Sequence, residues 1–503
     1  MNTQKFKDEA SEEHLLYDDR PLFDAKASDH NLKIQDDNSR ITGTTSQDLT
    51  QNYQKIDDQS HKSRAIFSPG SPGKRKFADI MMSPVRYTQR KFRAGGTSGS
   101  IFSLVAATLG AGTLTFPYCI KENGIAWGCI LVVLGALISY YTGMLLVIVS
   151  TKTNTNRYED YAQVLYGRRM SIFTSIMNLF CLMGFIMSYI VYIKKAIPKI
   201  ISLFTDEDSF HSFIVDPVWG PRFWGTIYAF GILFPLSIPR SINQLRYSSA
   251  FGVLCSVYLC FAVIIIFWSS RTLVPDPLQN WRDADYFKFD FSGIVSSVPL
   301  IIFAYMYQVN IPMIYHELER RNLKQMSGVL AKGSGAAVIL YSLVGIFGYL
   351  TFVNTPGFPT DNILDAPYQK NVAITVGNFA LFFAVLTASP LCVLPTKDTV
   401  EELFWKESGM TKKVNVLVAL GIIAVCYVPA IFIADIGDAI TIAGCTFNPI
   451  VGFILPIIYY WKTIEDKKLL SKEKILAIIV GVVIIIVSVL GMYDFIRKKV
   501  QGE

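Results

Sequence analysis

Read from the N-terminus by apolar and polar positions, the chain opens with about 95 polar residues and continues as apolar runs separated by short charged connectors. A helix needs roughly 20 apolar residues to cross the hydrocarbon of a bilayer. About eleven runs qualify: 98–119, 125–149, 170–203, 223–239, 247–270, 291–315, 328–353, 371–395, 413–433, 438–461 and 473–496. The third is long enough for a tilted or extended helix. The pattern predicts an all-α, multi-pass membrane protein in three parts: a disordered tail over 1–95, a ten-helix core over 96–461, and a connector with an eleventh helix over 462–503.

Two of these runs are interrupted. Gly110, Gly112 and Pro117 fall in the middle of the first, and the sixth contains Tyr305-Met-Tyr-Gln-Val-Asn-Ile-Pro312. Unpaired backbone groups are expensive in hydrocarbon, so irregular backbone survives there only where protein or a wet cavity satisfies it. Breaks in the first and sixth runs divide the core into two five-helix halves. An inverted repeat produces this arrangement, with a substrate site near the midplane. Gly and Pro are common in membrane helices, so the pattern alone stops at a secondary transporter of unknown substrate.

The 503 residues are 51% hydrophobic and 17% charged, and the net charge of +7 resides in tail and connectors rather than in a basic domain, which excludes a nucleic-acid partner. All eight cysteines lie in apolar runs, giving no disulfide framework or zinc spacing. The spans lack the converging His, Asp and Cys groups of a membrane enzyme, and no phosphate-binding Gly-rich loop is present. A potassium-type filter is likewise missing. Basic residues occupy every second connector, from Arg86, Arg90, Lys91 and Arg93 through Arg168, Arg320 and Lys412 to Lys467; Asp206, Glu207 and Asp283 lie in the alternate ones. The positive-inside rule then places the N-terminus in the cytosol. Eleven spans put Arg497, Lys498 and Lys499 on the other side, against that rule.

Four stretches carry a family likeness: SLVAATLGAGTLTFPYCIKENG from Ser103, SVPLIIFAYMYQVNIPMIYHELER from Ser297, SPLCVLPTKDTVEEL from Ser389 and IAGCTFNPIVGFILPIIYYWK from Ile442. Over nearly everything after residue 95 the chain resembles the amino acid/auxin permease family. The resemblance implies a LeuT-type 5+5 inverted repeat of about eleven helices, broken at helices 1 and 6, carrying an amino acid through the lipid bilayer.

An amino acid must exchange the hydration of its carboxylate and ammonium groups for protein contacts. Gly110, Ala111, Gly112 and Thr113 offer backbone N–H groups and the positive end of a half-helix, a carboxylate clamp. Taken on residues alone, Gly110 and Gly112 fit close helix packing equally well. In the sixth run Pro312 disturbs the helix, Gln308 and Asn310 mark freed carbonyls for the ammonium, and Tyr305 with Tyr307 shapes the pocket. Gln and Asn also act as interhelical glue. Thr387 and Ser389 offer hydroxyls to a coupling cation, although such groups often bond to their own helix.

In sodium-coupled members of the family an Asn stands one turn before the first glycine, where this chain has Ala106. With no carboxylate near the middle of any span, the reading is a sodium-independent, proton-linked carrier of neutral amino acids with no cofactor. His316 at the end of the sixth run is of the residue type suited to proton exchange but reads first as an interfacial residue, and His211 as a loop residue. Lys194 and Lys195 are expected to snorkel to the interface, and 157–169 to form an amphipathic surface helix or an inner gate. Ser68, Ser71 and Ser83, each before proline and near Lys74-Arg75-Lys76, suggest an electrostatic switch. Leu15-Leu16 assigns no organelle, so plasma membrane and vacuolar or lysosomal membrane both stay open. The alternative reading is an amino acid sensor that signals through its tail with little flux.

Overall fold

In the computed structural model the described residues are 96–155, 157–201, 216, 219–239, 246–368, 372–406, 408–464 and 472–501, with the side chains of 246–250 left aside. They belong to one compact unit. The tail, its Ser-Pro sites, Leu15-Leu16 and His211 lie outside the described residues, as do Asp206, Glu207 and Lys467.

The first span is α1 (Thr97–Thr108) and α2 (Phe116–Asn123), joined by a tight turn at Ala111–Thr115 and bent by 55°. Then come α3 (Ile125–Thr153), a short α4 (Tyr158–Tyr166) and α5 (Arg168–Ile201). At about 1.5 Å per residue, the 34 residues of α5 outrun a hydrocarbon core of roughly 30 Å. Next, α6 (Trp219–Thr226) continues through a widened turn, Ile227–Leu233, into Phe234–Ser237. This is the fourth expected span, and it lacks the length of regular helix that the unbroken spans have. The chain goes on through α7 (Arg246–Ser269), α8 (Pro277–Asp283), α9 (Phe291–Ala304), α10 (Ile311–Glu317) and α11 (Leu323–Thr351). It ends with α12 (Val372–Phe404), α13 (Lys412–Phe432), α14 (Ile436–Cys445), α15 (Leu455–Thr463) and α16 (Lys472–Gln501).

By length and composition eight described helices can cross a membrane, or ten if each of two bent pairs is one span. Helix starts follow capping chemistry. Asp276 accepts from the N–H of Leu278 (3.0 Å), Asp290 from Ser292 (3.2 Å) and Asn322 from Gln325 (2.7 Å). On α16, Ile479, Val482, Ile486 and Val489 stay exposed, as a lipid-facing helix requires.

Contacts between connectors sort the helix ends into two faces. Gln325 donates to Thr97 (2.6 Å), Lys152 to the Thr463 carbonyl (2.9 Å), and Arg157 pairs with Glu402 (2.9 Å). On the opposite face the Lys288 N–H donates to Asn123 (3.0 Å), Lys199 pairs with Asp365 (3.4 Å) and Lys499 with Asp438 (2.8 Å). Thus α1 begins on one face and α16 ends on the other. Arg497 and Lys498 both pair with Asp494 there, at 2.8 and 3.0 Å, so each of the three terminal cations that offend the charge rule has a carboxylate partner, two of them sharing one.

Lys194 corrects the snorkelling expectation. Only 3% exposed, it donates to the carbonyls of Ala430 (2.6 Å), Ile431 (3.3 Å) and Ile433, tying α5 to the end of α13. Lys397, 2% exposed, does the same from α12, donating to Ser237 (2.6 Å), Ile238 (3.4 Å) and Pro239 (3.2 Å) at the end of the fourth span, and to Asn415 (3.2 Å). A cation suits the negative end of a helix, and it satisfies carbonyls that have no intrahelical donor. Lys194→Met and Lys397→Met are each expected to lower the unfolding midpoint by roughly 5 °C through uncapped buried carbonyls. Thermal unfolding in detergent checks this, and an unchanged midpoint in both variants would deny the caps a stabilising role.

Candidate functional site

The two breaks anticipated in the first and sixth spans face each other. In the first, Leu109 and Gly110 leave the helix, and Gly110, Ala111 and Gly112 begin a new turn whose leading N–H groups have no intrahelical acceptor. A Cβ at Gly112 would stand 2.9 Å from that of Ala304 and 3.1 Å from its Cα, so the breaks touch through Gly112. A Cβ at Gly110 would meet only the Tyr189 hydroxyl, at 3.9 Å. Close packing therefore falls to Gly112, while Gly110 has ordinary van der Waals room beside it. Thr113 is buried, and its hydroxyl oxygen has no hydrogen-bond partner among the described residues.

In the sixth span the helix stops at Ala304 and resumes through a tight turn at Gln308–Asn310 into α10. Gln308 is fully buried and holds this unwound segment against α3. Its amide donates to Ser139 (2.7 Å) and Thr142 (3.2 Å), its oxygen accepts from the Tyr307 N–H (3.0 Å), and Ser139 in turn donates to the Tyr305 carbonyl (2.8 Å). The Gln308 side chain is thus committed to the break. Asn310 is half-buried, its N–H donating to the Tyr307 carbonyl (3.0 Å). Tyr307 turns to Ser334 (2.9 Å), whereas Tyr305 packs edge-on to Tyr341 at 5.3 Å and its buried hydroxyl has no partner among the described residues.

Tyr341, on α11, is the residue that sequence reasoning missed. Its hydroxyl donates to the Thr108 carbonyl (2.8 Å) and the Ala304 carbonyl (3.1 Å), sharing one proton between the last carbonyls before each break. Its ring stacks on Phe116 at 4.1 Å. A tyrosine in the middle of an apolar helix needs a partner for its hydroxyl, and that was the available signal.

Thr387 and Ser389 are not brought together. They lie two residues apart on regular helix and so point to different sides. The Thr387 hydroxyl bonds back to Phe383 (2.9 Å); that of Ser389 bonds to Val385 (2.6 Å) and accepts from Tyr228 (2.6 Å). His316 contacts the Thr155 carbonyl (2.7 Å) at the end of α3, an interfacial position. A further break was not anticipated: α14 and the helical stretch Phe447–Thr463, which ends in α15, meet at 43° around Thr446. The helix expected over 157–169 is present as α4, with Tyr158, Glu159, Tyr161 and Ala162 buried and Tyr158 donating to the Val451 carbonyl beside that third break.

Above the site, on the face where α16 ends, Asp361 lies in the connector between α11 and α12. Burial, then the charges of Asp435, Asp438 and Asp365, push its carboxyl up to about 7 against the opposing pull of Lys195. The folded chain therefore holds a proton that the unfolded chain releases between about pH 4 and 7, and stability falls as pH rises through that window. Melting curves at about pH 5 and pH 8 are expected to differ less for Asp361→Asn than for the unsubstituted chain. Equal differences would remove Asp361 as the cause.

A helical membrane protein whose first and sixth spans unwind against each other has the architecture of a secondary transporter. Residues 93–496 match the family model described as transmembrane amino acid transporter protein, and the chain belongs to that family. It is similar to the sodium-coupled neutral amino acid symporter 2 of Danio rerio, 25% identical over 432 residues covering 80% of this chain and 83% of the relative. Among solved structures it is similar to that of MhsT in complex with L-phenylalanine, at TM-score 0.53 and 14% identity, covering 79% of this chain and 98% of the other. The fold is of the LeuT type, and the chain is an integral, multi-pass membrane protein of a transporter family rather than an enzyme.

Proposed function

We propose that this protein is a secondary transporter of neutral amino acids, working by alternating access and linked to protons rather than sodium. The observation that carries the reading is the pair of facing breaks, with the leading N–H groups of the turn at Gly110–Gly112 free of intrahelical acceptors and the hydroxyls of Thr113 and Tyr305 buried without a hydrogen-bond partner among the described residues. The amides suit a carboxylate, while Asn310 and the unwound carbonyls of the sixth span take the ammonium. None of the side chains around the breaks named above is charged, which suits a neutral substrate, the class in the printed name of the Danio rerio relative. Ala106, in place of the asparagine of sodium-coupled members, and the divergent Thr387 and Ser389 speak against sodium.

Two five-helix halves fit the paired lysines. Lys194 lies 26 residues into α5 and caps the ninth span, while Lys397 lies 25 residues into α12 and caps the fourth, as a two-fold exchange of the halves would give. The face where α1 begins is the cytosolic one, by its basic connectors.

Uptake of labelled amino acids into proteoliposomes under a proton gradient, a sodium gradient or neither tests the reading. Accumulation driven by protons alone is the expected result. Accumulation driven by sodium reverses the ion assignment, and binding without flux replaces the transporter with a sensor.

A further inference from the structure

Glu159 is a buried acid outside the spans, and the transport site makes no use of it. It sits in the first turn of α4, on the face where α1 begins. Its neighbour Asp160 is more open, whereas Glu159 is 8% exposed. It has one side-chain hydrogen bond, accepted from the amide of Asn178 on α5 at 2.8 Å. Cations are close but engaged elsewhere. Arg157 pairs with Glu402 of α12 at 2.9 Å, Lys406 reaches the same carboxylate at 3.5 Å, and no ion pair reaches Glu159 among the described residues. Around it stand Asp160 and Tyr158 from α4, Glu402 from α12 and Tyr459 from α15.

A carboxylate held by neutral donors and no ion pair is costly to bury. Burial pushes this carboxyl up, with Glu402 adding to it, while a hydrogen bond from its own backbone, the Asn178 hydrogen bond and the charge of Arg157 pull the other way. The surroundings are prepared for a change of proton. Among the described residues the Asn178 oxygen has no partner, and neither has the amide nitrogen of Asn448, although both residues are more than nine-tenths buried. Cys181, one turn along α5 from Asn178, donates to Asn448 at 3.2 Å. Asn448 occupies the joint between α14 and α15, beside the 43° bend. A half-turn of the Asn178 amide exchanges donor for acceptor. The carboxylate is met by its N–H, and the protonated acid donates to the oxygen that now lacks a partner.

We propose that Glu159 is a proton-binding site, taking a proton from the solvent of this face and returning it once per transport cycle, with Asn178 relaying its state to the α14–α15 joint. This rests on the proton-linked reading above and names the group that carries the proton. The exchange is a simple one: carboxylate plus proton gives carboxylic acid, with no other bond made or broken.

The test uses the full chain in proteoliposomes. Glu159→Gln, which fixes the uncharged form, is expected to retain amino acid exchange at equal pH within about twofold and to lose at least about tenfold in accumulation under a proton gradient. Glu159→Gln that accumulates like the unsubstituted chain overturns the assignment while leaving proton coupling standing. An unsubstituted chain that exchanges but ignores the proton gradient overturns the coupled reading, and Glu159 with it. Asn178→Ala provides an independent reading should Glu159→Gln fail to fold. Without the donor the carboxylate is disfavoured, so the pH midpoint of exchange is expected to move up by about one unit. An unmoved midpoint overturns the proposal.

Discussion

Tyr341→Phe is expected to reduce amino acid uptake by about tenfold to a hundredfold while leaving the protein folded and correctly inserted. The ring keeps its stack on Phe116 and its edge contact with Tyr305. Only the hydroxyl is lost, and with it the donor to Thr108 and Ala304. Both carbonyls belong to buried residues and are the last before a break, and a buried acceptor left without a donor costs about 1–3 kcal/mol. That cost falls on the conformation in which the breaks are aligned, so it appears in uptake rather than only in stability. Initial rates in proteoliposomes, normalised to inserted protein, decide it. A Phe variant that transports within twofold of the unsubstituted chain would show that the two breaks hold their alignment without Tyr341.

The ease of reading each part from sequence follows from the range of the interaction that creates it. The first break was legible because its cause is local: Gly110, Gly112 and Pro117 weaken the helix wherever the chain goes. The sixth was legible through Pro312 and the polar Gln308, but not the use made of Gln308, whose bonds to Ser139 and Thr142 join positions more than 160 residues apart. Tyr341 escaped for the same reason. The bend at Thr446 has Gly444 and Pro449 around it, yet such residues are too frequent in membrane helices to mark a break by themselves. Lys194 was misread because snorkelling is the default for a lysine near a helix end. A helix terminus from the other half of the molecule supplied acceptors inside. Eleven apolar runs were visible, but the regular helix within the fourth was not, because its middle is wound wider than an α-helix.

The two glycines of the first break are expected to fail for different reasons, and that difference tests the carboxylate clamp. At Gly112 a methyl group would press on the Cβ and Cα of Ala304, and backbone has little room to yield. Overpacking of this kind costs about 1–3 kcal/mol. Gly112→Ala should therefore abolish most uptake, and pairing it with Ala304→Gly, which removes the nearer atom, should restore part of it. At Gly110 a methyl group has ordinary van der Waals room beside Tyr189, so Gly110→Ala should fold, insert and melt like the unsubstituted chain. The same methyl stands where a carboxylate would approach the leading amides of the half-helix. With each hydrogen bond to a charged group worth about 1.5–3 kcal/mol, the KM for uptake should rise at least about tenfold with little change in protein abundance. Saturation curves for Gly110→Ala, Gly112→Ala and the Gly112→Ala/Ala304→Gly pair separate the two causes. An unaltered KM in Gly110→Ala, alongside rescue of Gly112→Ala by Ala304→Gly, would reduce both glycines to helix packing and move the substrate carboxylate away from this half-helix.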